Sequence, residues 1–242
     1  MKYIDHIADP SRSCAIVAHR GAWHQAPENS LAAIENAIAA GYDIVEVDIR
    51  QSADGHLFIL HDDTLERMAG IDRAPEEMTI AEITSLRLRM AGGGSDKEMT
   101  AHTMEMGVAD QVDLKADAGT REQRAWIAGK TGIDGVPFMG KAFFRKENAD
   151  ETAEGIISVS PFMCEAKFDQ LETLAGQHDR LKEAGISLWV NTLDPVSCCG
   201  FTDSAALRDP DAIWGRMIDA GVSVIQTDEP AALQAYLKAR RA

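Results

Sequence analysis

Cys14-Ala15-Ile16-Val17-Ala18-His19-Arg20-Gly21 opens the stretch whose reading decides the fold, and Pro27-Glu28-Asn29-Ser30 comes next. The apolar run at 14–18 reads as a short buried strand that ends at His19. Asn29 or Ser30 then caps a helix whose apolar positions Leu31, Ile34 and Ile38 fall at helical spacing, and Gly41 suits its C-terminal exit. Residues 43–50 are rich in β-branched side chains and predict a second strand. Asp54-Gly55 is a hairpin signal leading into Leu57-Phe58-Ile59-Leu60, which delivers His61-Asp62 directly.

Working outward, the strand–helix–strand rhythm returns. Strands are expected at 111–115, 156–160, 186–192 and 222–227, with helices at 121–128, 168–184, 211–220 and 230–239. Gly135-Val136-Pro137-Phe138-Met139 has strand character, although its proline argues against a central strand. Residues 91–95 read as a loop and 96–107 as a poorly patterned helix. About seven parallel strands emerge, and their alternation with helices predicts an α/β sheet covered by helices, open or closed.

Composition bounds the reading. The chain has 242 residues, of which 45% are hydrophobic, enough for a sizeable core. No composition break favours a split, so one domain over 1–242 is expected. No apolar run approaches the roughly 18 residues of a membrane helix. The first twelve positions are polar and mixed in charge rather than signal-like, so a cytoplasmic protein is the default expectation. The four cysteines (Cys14, Cys164, Cys198 and Cys199) include no CxxC and read as reduced, structural thiols. Net charge is −15 and no basic stripe is evident, which argues against a nucleic-acid partner. An acidic protein that handles an anionic ester has to concentrate positive charge locally.

Glu46 and Asp48 stand two apart, so on one strand they share a face opposite Val45, Val47 and Ile49. An exposed antiparallel strand with a wet acidic face explains such a pair in isolation. Inside a helix-covered sheet, however, two carboxylates are costly, and a hard cation bound by oxygen resolves that cost. His19 and His61 each end an apolar run. A pair of imidazoles beside carboxylates suits the two proton transfers of phosphodiester hydrolysis, one on the nucleophile and one on the leaving alkoxide. Arg20 can bind phosphate oxygens in bidentate fashion; its alternative is a surface ion pair.

These ordered motifs resemble the glycerophosphodiester phosphodiesterase family. The resemblance rests on His19-Arg20-Gly21, Pro27-Glu28-Asn29-Ser30, Glu46-Val47-Asp48, Asp54-Gly55, His61-Asp62 and Thr64-Leu65-Glu66-Arg67. It returns in Trp189-Val190-Asn191 and in residues 224–230. What it implies is a TIM-type (β/α)8 barrel, here with a short and irregular middle. It also implies hydrolysis of a glycerophosphodiester to sn-glycerol 3-phosphate and an alcohol, a place in lipid metabolism. His19 and His61 would be the acid–base pair, and Glu46 and Asp48 would hold one divalent cation, Mg²⁺ or Ca²⁺, with Mn²⁺ also compatible. The family's third ligand and phosphate-binding lysine would fall on Asp113 and Lys115, where aspartate replaces the usual glutamate. The expected partner is a small anionic phosphodiester.

Residues 70–160 match the family poorly, and recognition of the alcohol depends partly on such segments. His24 matches no motif position and reads as a surface histidine. Glu165 either reaches the site or pairs with Lys167. Trp189 is either core or an apolar wall against glycerol. Two rivals stay open: a relative acting on lysophospholipids or a sugar phosphodiester, and a non-catalytic barrel that binds phosphoesters. Which histidine is acid, and whether a cyclic phosphate forms, is undecided at this level, as is the oligomeric state.

Overall fold

The computed structural model describes residues 14–104, 114–117 and 138–241, with only the backbone given for 114–117 and 138. Contacts group the chain into two compact units, Val17–Ala109 on one side and Met1–Ile16 with Asp110–Ala242 on the other.

Strand β1 (Ala15–His19) is apolar on both faces, with Ala15, Val17 and Ala18 fully buried, as in a sheet covered on both sides. Helix α1 (Leu31–Ala40) starts where expected. The Ser30 hydroxyl accepts from Ala33 N at 3.2 Å and donates to the Pro27 carbonyl at 2.6 Å. Gly41, at φ 73°, closes the helix by donating to the Ala37 and Ile38 carbonyls. The buried face of α1 differs from expectation. Ala33 and Ala37 pack inward, whereas Leu31 and Ile38 are 49% and 69% exposed. The cause is a close backbone approach. Ala22 N bonds the Ala33 carbonyl at 2.9 Å, and a Cβ on Gly21 would stand 2.7 Å from that of Ala33. Only small residues permit that approach, so the alanine stripe faces in.

Strand β2 (Ile44–Glu46) runs parallel to β1 with Val17 opposite Ile44, Ala18 opposite Val45 and His19 opposite Glu46. The single strand expected over 43–50 is broken at Val47-Asp48. The chain resumes as β3 (Ile49–Gln51), antiparallel to β4 (Leu57–Ile59) through the expected Asp54-Gly55 turn. The break has a local cause: the Asp48 amide bonds the Asn29 side chain at 3.2 Å, and its carbonyl accepts from Leu60 at 3.0 Å. Ile49 is therefore exposed rather than packed on a covered face.

Short helices α2 (Glu66–Ala69) and α3 (Ile80–Thr84) follow, then β5 (Arg87–Arg89), antiparallel to β6 (Met99–Thr103). Residues 96–107 were expected to be helical; over their described part they carry β6, where Thr100 bonds the Leu88 carbonyl at 2.8 Å. Phe58, Leu60, Leu65, Met68, Ile83, Leu88 and Met104 form a core of this unit's own beneath these pieces. Each such side chain contributes about 1.5–3 kcal/mol through burial.

The second unit is a parallel sheet in the order β11-β10-β9-β8-β7, made of β7 (Leu114–Asp117), β8 (Phe138–Phe144), β9 (Met163–Phe168), β10 (Ser187–Asn191) and β11 (Val222–Thr227). Its helices are α4 (Ala149–Val159), α5 (Leu171–Ala175), α6 (His178–Glu183), α7 (Asp203–Ala206), α8 (Arg216–Asp219, preceded by a π-helical turn at Asp211–Gly215) and α9 (Pro230–Arg240). With β1 and β2, seven described strands make parallel pairings. The strand expected at 156–160 is the end of α4, and the strand lies at β9 instead. The β-branched run there is overridden because Ala149, Ala153 and Ile156 bury one helical face. The long helix expected over 168–184 is two, separated at Gly176-Gln177. β8 begins after the proline at 137, which resolves that ambiguity. Residues 111–113 and the helix expected at 121–128 lie outside the described residues.

Asp203 opens α7 and ties this unit's strand ends. Its carboxylate accepts from the hydroxyls of Thr192 at 2.5 Å and Thr227 at 2.6 Å, and from the amide of Asp228 at 2.8 Å. Burial raises its pKa, against the lowering effect of those neutral donors.

Candidate functional site

β1 brings His19 to its last position, opposite Glu46 on β2. The chain then turns sharply, with Arg20 at φ 56° and Gly21 at φ 89°. A left-handed arginine costs about 1–3 kcal/mol and persists only where its surroundings hold it. Here its amide bonds the Glu46 carbonyl at 2.8 Å, and its carbonyl accepts from Asn29 N at 3.0 Å. The Trp23 indole N–H donates to the His19 carbonyl at 3.0 Å, fastening the other side of the turn.

Asn29 is also left-handed, at φ 48°, and clamps Asp48 twice. Its Oδ1 accepts from the Asp48 amide, and its Nδ2 donates to Asp48 Oδ2 at 3.0 Å. Arg20 Nε lies 3.2 Å from the same Oδ2 as an ion pair. Arg20 Nη1 donates to Glu28 Oε1 at 2.9 Å. Glu28 is 5% exposed, and Arg67 Nη2 reaches its same oxygen at 2.7 Å. Arg67 grips Asp62 with one edge of its guanidinium (Nε to Oδ2 at 2.6 Å and Nη2 to Oδ1 at 2.8 Å) and donates from Nη1 to the Gly92 carbonyl. Asp62 Oδ1 in turn meets His61 Nδ1 at 2.8 Å. A continuous path thus runs from Asp48 through Arg20, Glu28, Arg67 and Asp62 to His61.

Burial by itself would raise the Asp62 carboxyl. Hydrogen bonds from Arg67 and His61 outweigh it and hold the group at about 2. Burial works against the Arg67 charge as well, but its bonds to Asp62 and Glu28 prevail and raise its pKa.

Five residues singled out from the sequence therefore fall within one unit: His19, Arg20, Glu46, Asp48 and His61. The other three are Trp189, Lys115 and Asp113. Trp189 belongs to the second unit, where it is 3% exposed and donates its indole N–H to Asn191 Oδ1 at 2.7 Å, a core residue with a polar tether. Lys115 lies on β7 with only its backbone described, and Asp113 lies outside the described residues. Glu165 is buried within β9; its lysine partner is Lys141 at 3.5 Å rather than Lys167, and it accepts from Asn191 at 3.3 Å. His24 is exposed and stacks on Trp23 at 4.8 Å, as a surface histidine does.

Four residues of the network had no role at the site in the sequence reading: Glu28, Asn29 (which was offered only as a helix cap), Asp62 and Arg67. Each stood inside a quoted motif. The available signal was an acid directly after a candidate catalytic histidine, with an arginine five positions on.

Among the described residues no three His, Cys, Asp or Glu side chains converge as ligands of one metal ion. Glu46, at the end of β2, and Asp48, in the strand break that follows, are two half-buried, all-oxygen donors, a set suited to a hard cation rather than to zinc.

The family model described as glycerophosphoryl diester phosphodiesterase matches residues 19–126, the segment that carries this network. Residues 138–237 match a model described only as a domain of unknown function. The glycerophosphodiester phosphodiesterase of Caldanaerobacter subterraneus subsp. tengcongensis is 37% identical over 71 residues, 29% of this chain and 29% of that protein. The match therefore spans less than a third of that relative's length. Among solved structures, a glycerophosphoryl diester phosphodiesterase from Parabacteroides distasonis aligns with a TM-score of 0.69 at 18% identity, over 99% of this chain and 93% of that one. A phosphodiesterase from Oleispira antarctica, solved with the product sn-glycerol-3-phosphate, aligns at 0.62 and 17% identity, over 93% of this chain and 96% of that one. At such identities the likeness carries the fold, and the fold is the TIM-type α/β barrel expected from the resemblance.

Proposed function

We propose that this protein is a phosphoric diester hydrolase that cleaves a glycerophosphodiester to sn-glycerol 3-phosphate and an alcohol. A divalent cation, Mg²⁺, Ca²⁺ or Mn²⁺, would be held by Glu46 and Asp48. The observation that carries this reading is the joining of the family's motif residues inside one unit. His19 stands opposite Glu46, and Arg20 lies 3.2 Å from Asp48. The relatives' names supply the substrate class, and the Oleispira antarctica structure holds the corresponding product.

When bound, the cation supplies Lewis acidity to the phosphoryl group. The chain's own residues do the rest. Arg20, kept in its turn by Glu46, Asn29 and Glu28, presents a fixed positive charge to the non-bridging oxygens. His19 and His61 exchange protons with the nucleophile and the leaving alkoxide. The His61 ring is half-exposed, so it is accessible to a substrate while Nδ1 is held by Asp62. No helix among the described residues is long and apolar enough to cross a membrane.

Hydrolysis of glycerophosphocholine is the direct test, with lysophosphatidylcholine run beside it to separate the two substrate classes. Exhaustive dialysis against EDTA is expected to abolish turnover, and Mg²⁺, Ca²⁺ or Mn²⁺ to restore at least part of it. Full activity in protein shown metal-free by elemental analysis would refute the cation. Turnover of lysophosphatidylcholine alone would refute the substrate.

A further inference from the structure

We infer that Arg67 and Glu28 are positioning residues that set which nitrogen of His61 does the chemistry and, through a shared carboxylate oxygen, tie that choice to the placement of Arg20. The inference rests on the phosphodiesterase reading above and assigns a task to two residues that have none in it.

An imidazole has two distinct nitrogens, and the bond made by one decides the protonation of the other. Asp62 Oδ1 lies 2.8 Å from His61 Nδ1, and an ionised carboxylate only accepts, so Nδ1 carries the proton and Nε2 is left for the reaction. Asp62 would not stay in place by itself, because His61 and Asp62 sit on a partly exposed bend after β4. Arg67 holds it through a bidentate pair at 2.6 and 2.8 Å.

Arg67 is itself over-determined. Nη2 also donates to Glu28, and Nη1 donates to the Gly92 carbonyl. The glycine-rich loop at 91–95 closes on its backbone: Gly94 N bonds the Arg67 carbonyl at 2.8 Å, and a Cβ on Gly93 would stand 2.6 Å from that same oxygen. Glycine at 93, at φ 70°, is required for both reasons. The loop thus fits one arginine in one pose.

Glu28 gives the device its second arm. Its Oε1 receives Arg67 at 2.7 Å and Arg20 at 2.9 Å, so one buried oxygen positions the guanidinium that faces the phosphate and the guanidinium behind the histidine. Separate carboxylates could hold the two arginines independently; a shared one makes them move together.

The test combines kinetics with a tautomer readout. Imidazole nitrogen–proton NMR correlations, with the His61 signal assigned by its loss in His61→Gln, are expected to show the Nδ1–H form of neutral His61 in the parent. Arg67→Met is expected to shift His61 toward the Nε2–H form and to lower kcat by roughly 10–100-fold with KM for glycerophosphocholine unchanged, the usual size for an outer-shell partner. Arg67→Lys keeps the charge and the stem but cannot span Asp62, Glu28 and Gly92 together. It supplies folded protein if the methionine variant fails, and a similar loss is expected. Glu28→Gln is expected to raise KM as well as lower kcat, because it also loosens Arg20. A parent tautomer of Nε2–H, or an Arg67 variant that keeps the parent's tautomer and kcat, would overturn the inference. A parent inactive on the substrate, whose His61 tautomer still depends on Arg67, would sustain the positioning and refute the proposed activity instead.

Discussion

Asp62 and Asp203 are the same side chain in two regions of one molecule, and they titrate in opposite directions. In the unit Val17–Ala109, Asp62 is gripped by Arg67 and His61, and its carboxyl is held at about 2. In the unit that contains Asp110–Ala242, Asp203 is buried, its carboxylate accepts from two hydroxyls and an amide, and burial, with the nearby Asp228 charge, raises its pKa. Neutral donors satisfy an acid's lone pairs without repaying the loss of its hydration, whereas a guanidinium does both. The first arrangement keeps a charge available beside a histidine. The second uses an acid as a structural knot.

If that contrast is right, mutations in the two regions separate activity from stability. The largest effect is expected at the histidines. His19→Ala or His61→Ala should each lower kcat by roughly 10²–10⁴ with thermal melts near the parent's. Because the pair acts as a unit, the double variant should cost less than the product of the single effects. A folded, active His61→Ala protein would remove that residue from the mechanism.

Asp203→Ala should do the reverse. It leaves the Thr227 hydroxyl and the Asp228 amide without their acceptor, and the Thr192 hydroxyl with only the Gln226 carbonyl at 3.2 Å, at a cost of about 3 kcal/mol in urea unfolding. Turnover per folded molecule should change far less than in the histidine variants. A melt unchanged from the parent would break the comparison from the other side.

The smallest effect is in the pH dependence of stability, and its two signs differ. Asp62 has a folded pKa below its ordinary 3.8, so its contribution is present above that pH and is lost as pH falls toward about 2. Asp203 has a folded pKa above 3.8, so its contribution is greatest below that value and declines as pH rises through the folded pKa. Urea midpoints followed against pH should therefore show Asp62→Asn losing the rise just above pH 2, and Asp203→Asn losing a decline that begins near pH 4. Variants that both keep the parent's slopes would show that neither acid is perturbed.

Much of this was legible in the residues. The Ser30 cap, the Gly41 exit and the Asp54-Gly55 turn stand where local chemistry puts them. Strand β11 has the expected bounds, because four β-branched residues in six (Val222, Val224, Ile225 and Thr227) leave little choice. Residues 156–160 misled because a β-branched run is only a weak preference; the burial of Ala149, Ala153 and Ile156 on one face decided for helix. Glu46 and Asp48 were legible as a pair, but the reason for their pairing was not. They share no straight strand; Asn29, from a different loop, interrupts the ladder at Asp48 and aims its carboxylate.

The sequence by itself determined β1, α1, the Asp54-Gly55 turn and β11, and singled out the histidines, the carboxylates and Arg20, since apolar period, caps and compact motifs act over a few residues. Tertiary structure alone decided which stripe of α1 is buried, because that follows from the approach of Gly21 to Ala33. It also decided that Glu28 is the hub of two arginines, one of them 39 positions away. Hydrogen bonds and ion pairs depend on distances through space, and a buried carboxylate takes its charge state from whichever groups the fold places against it.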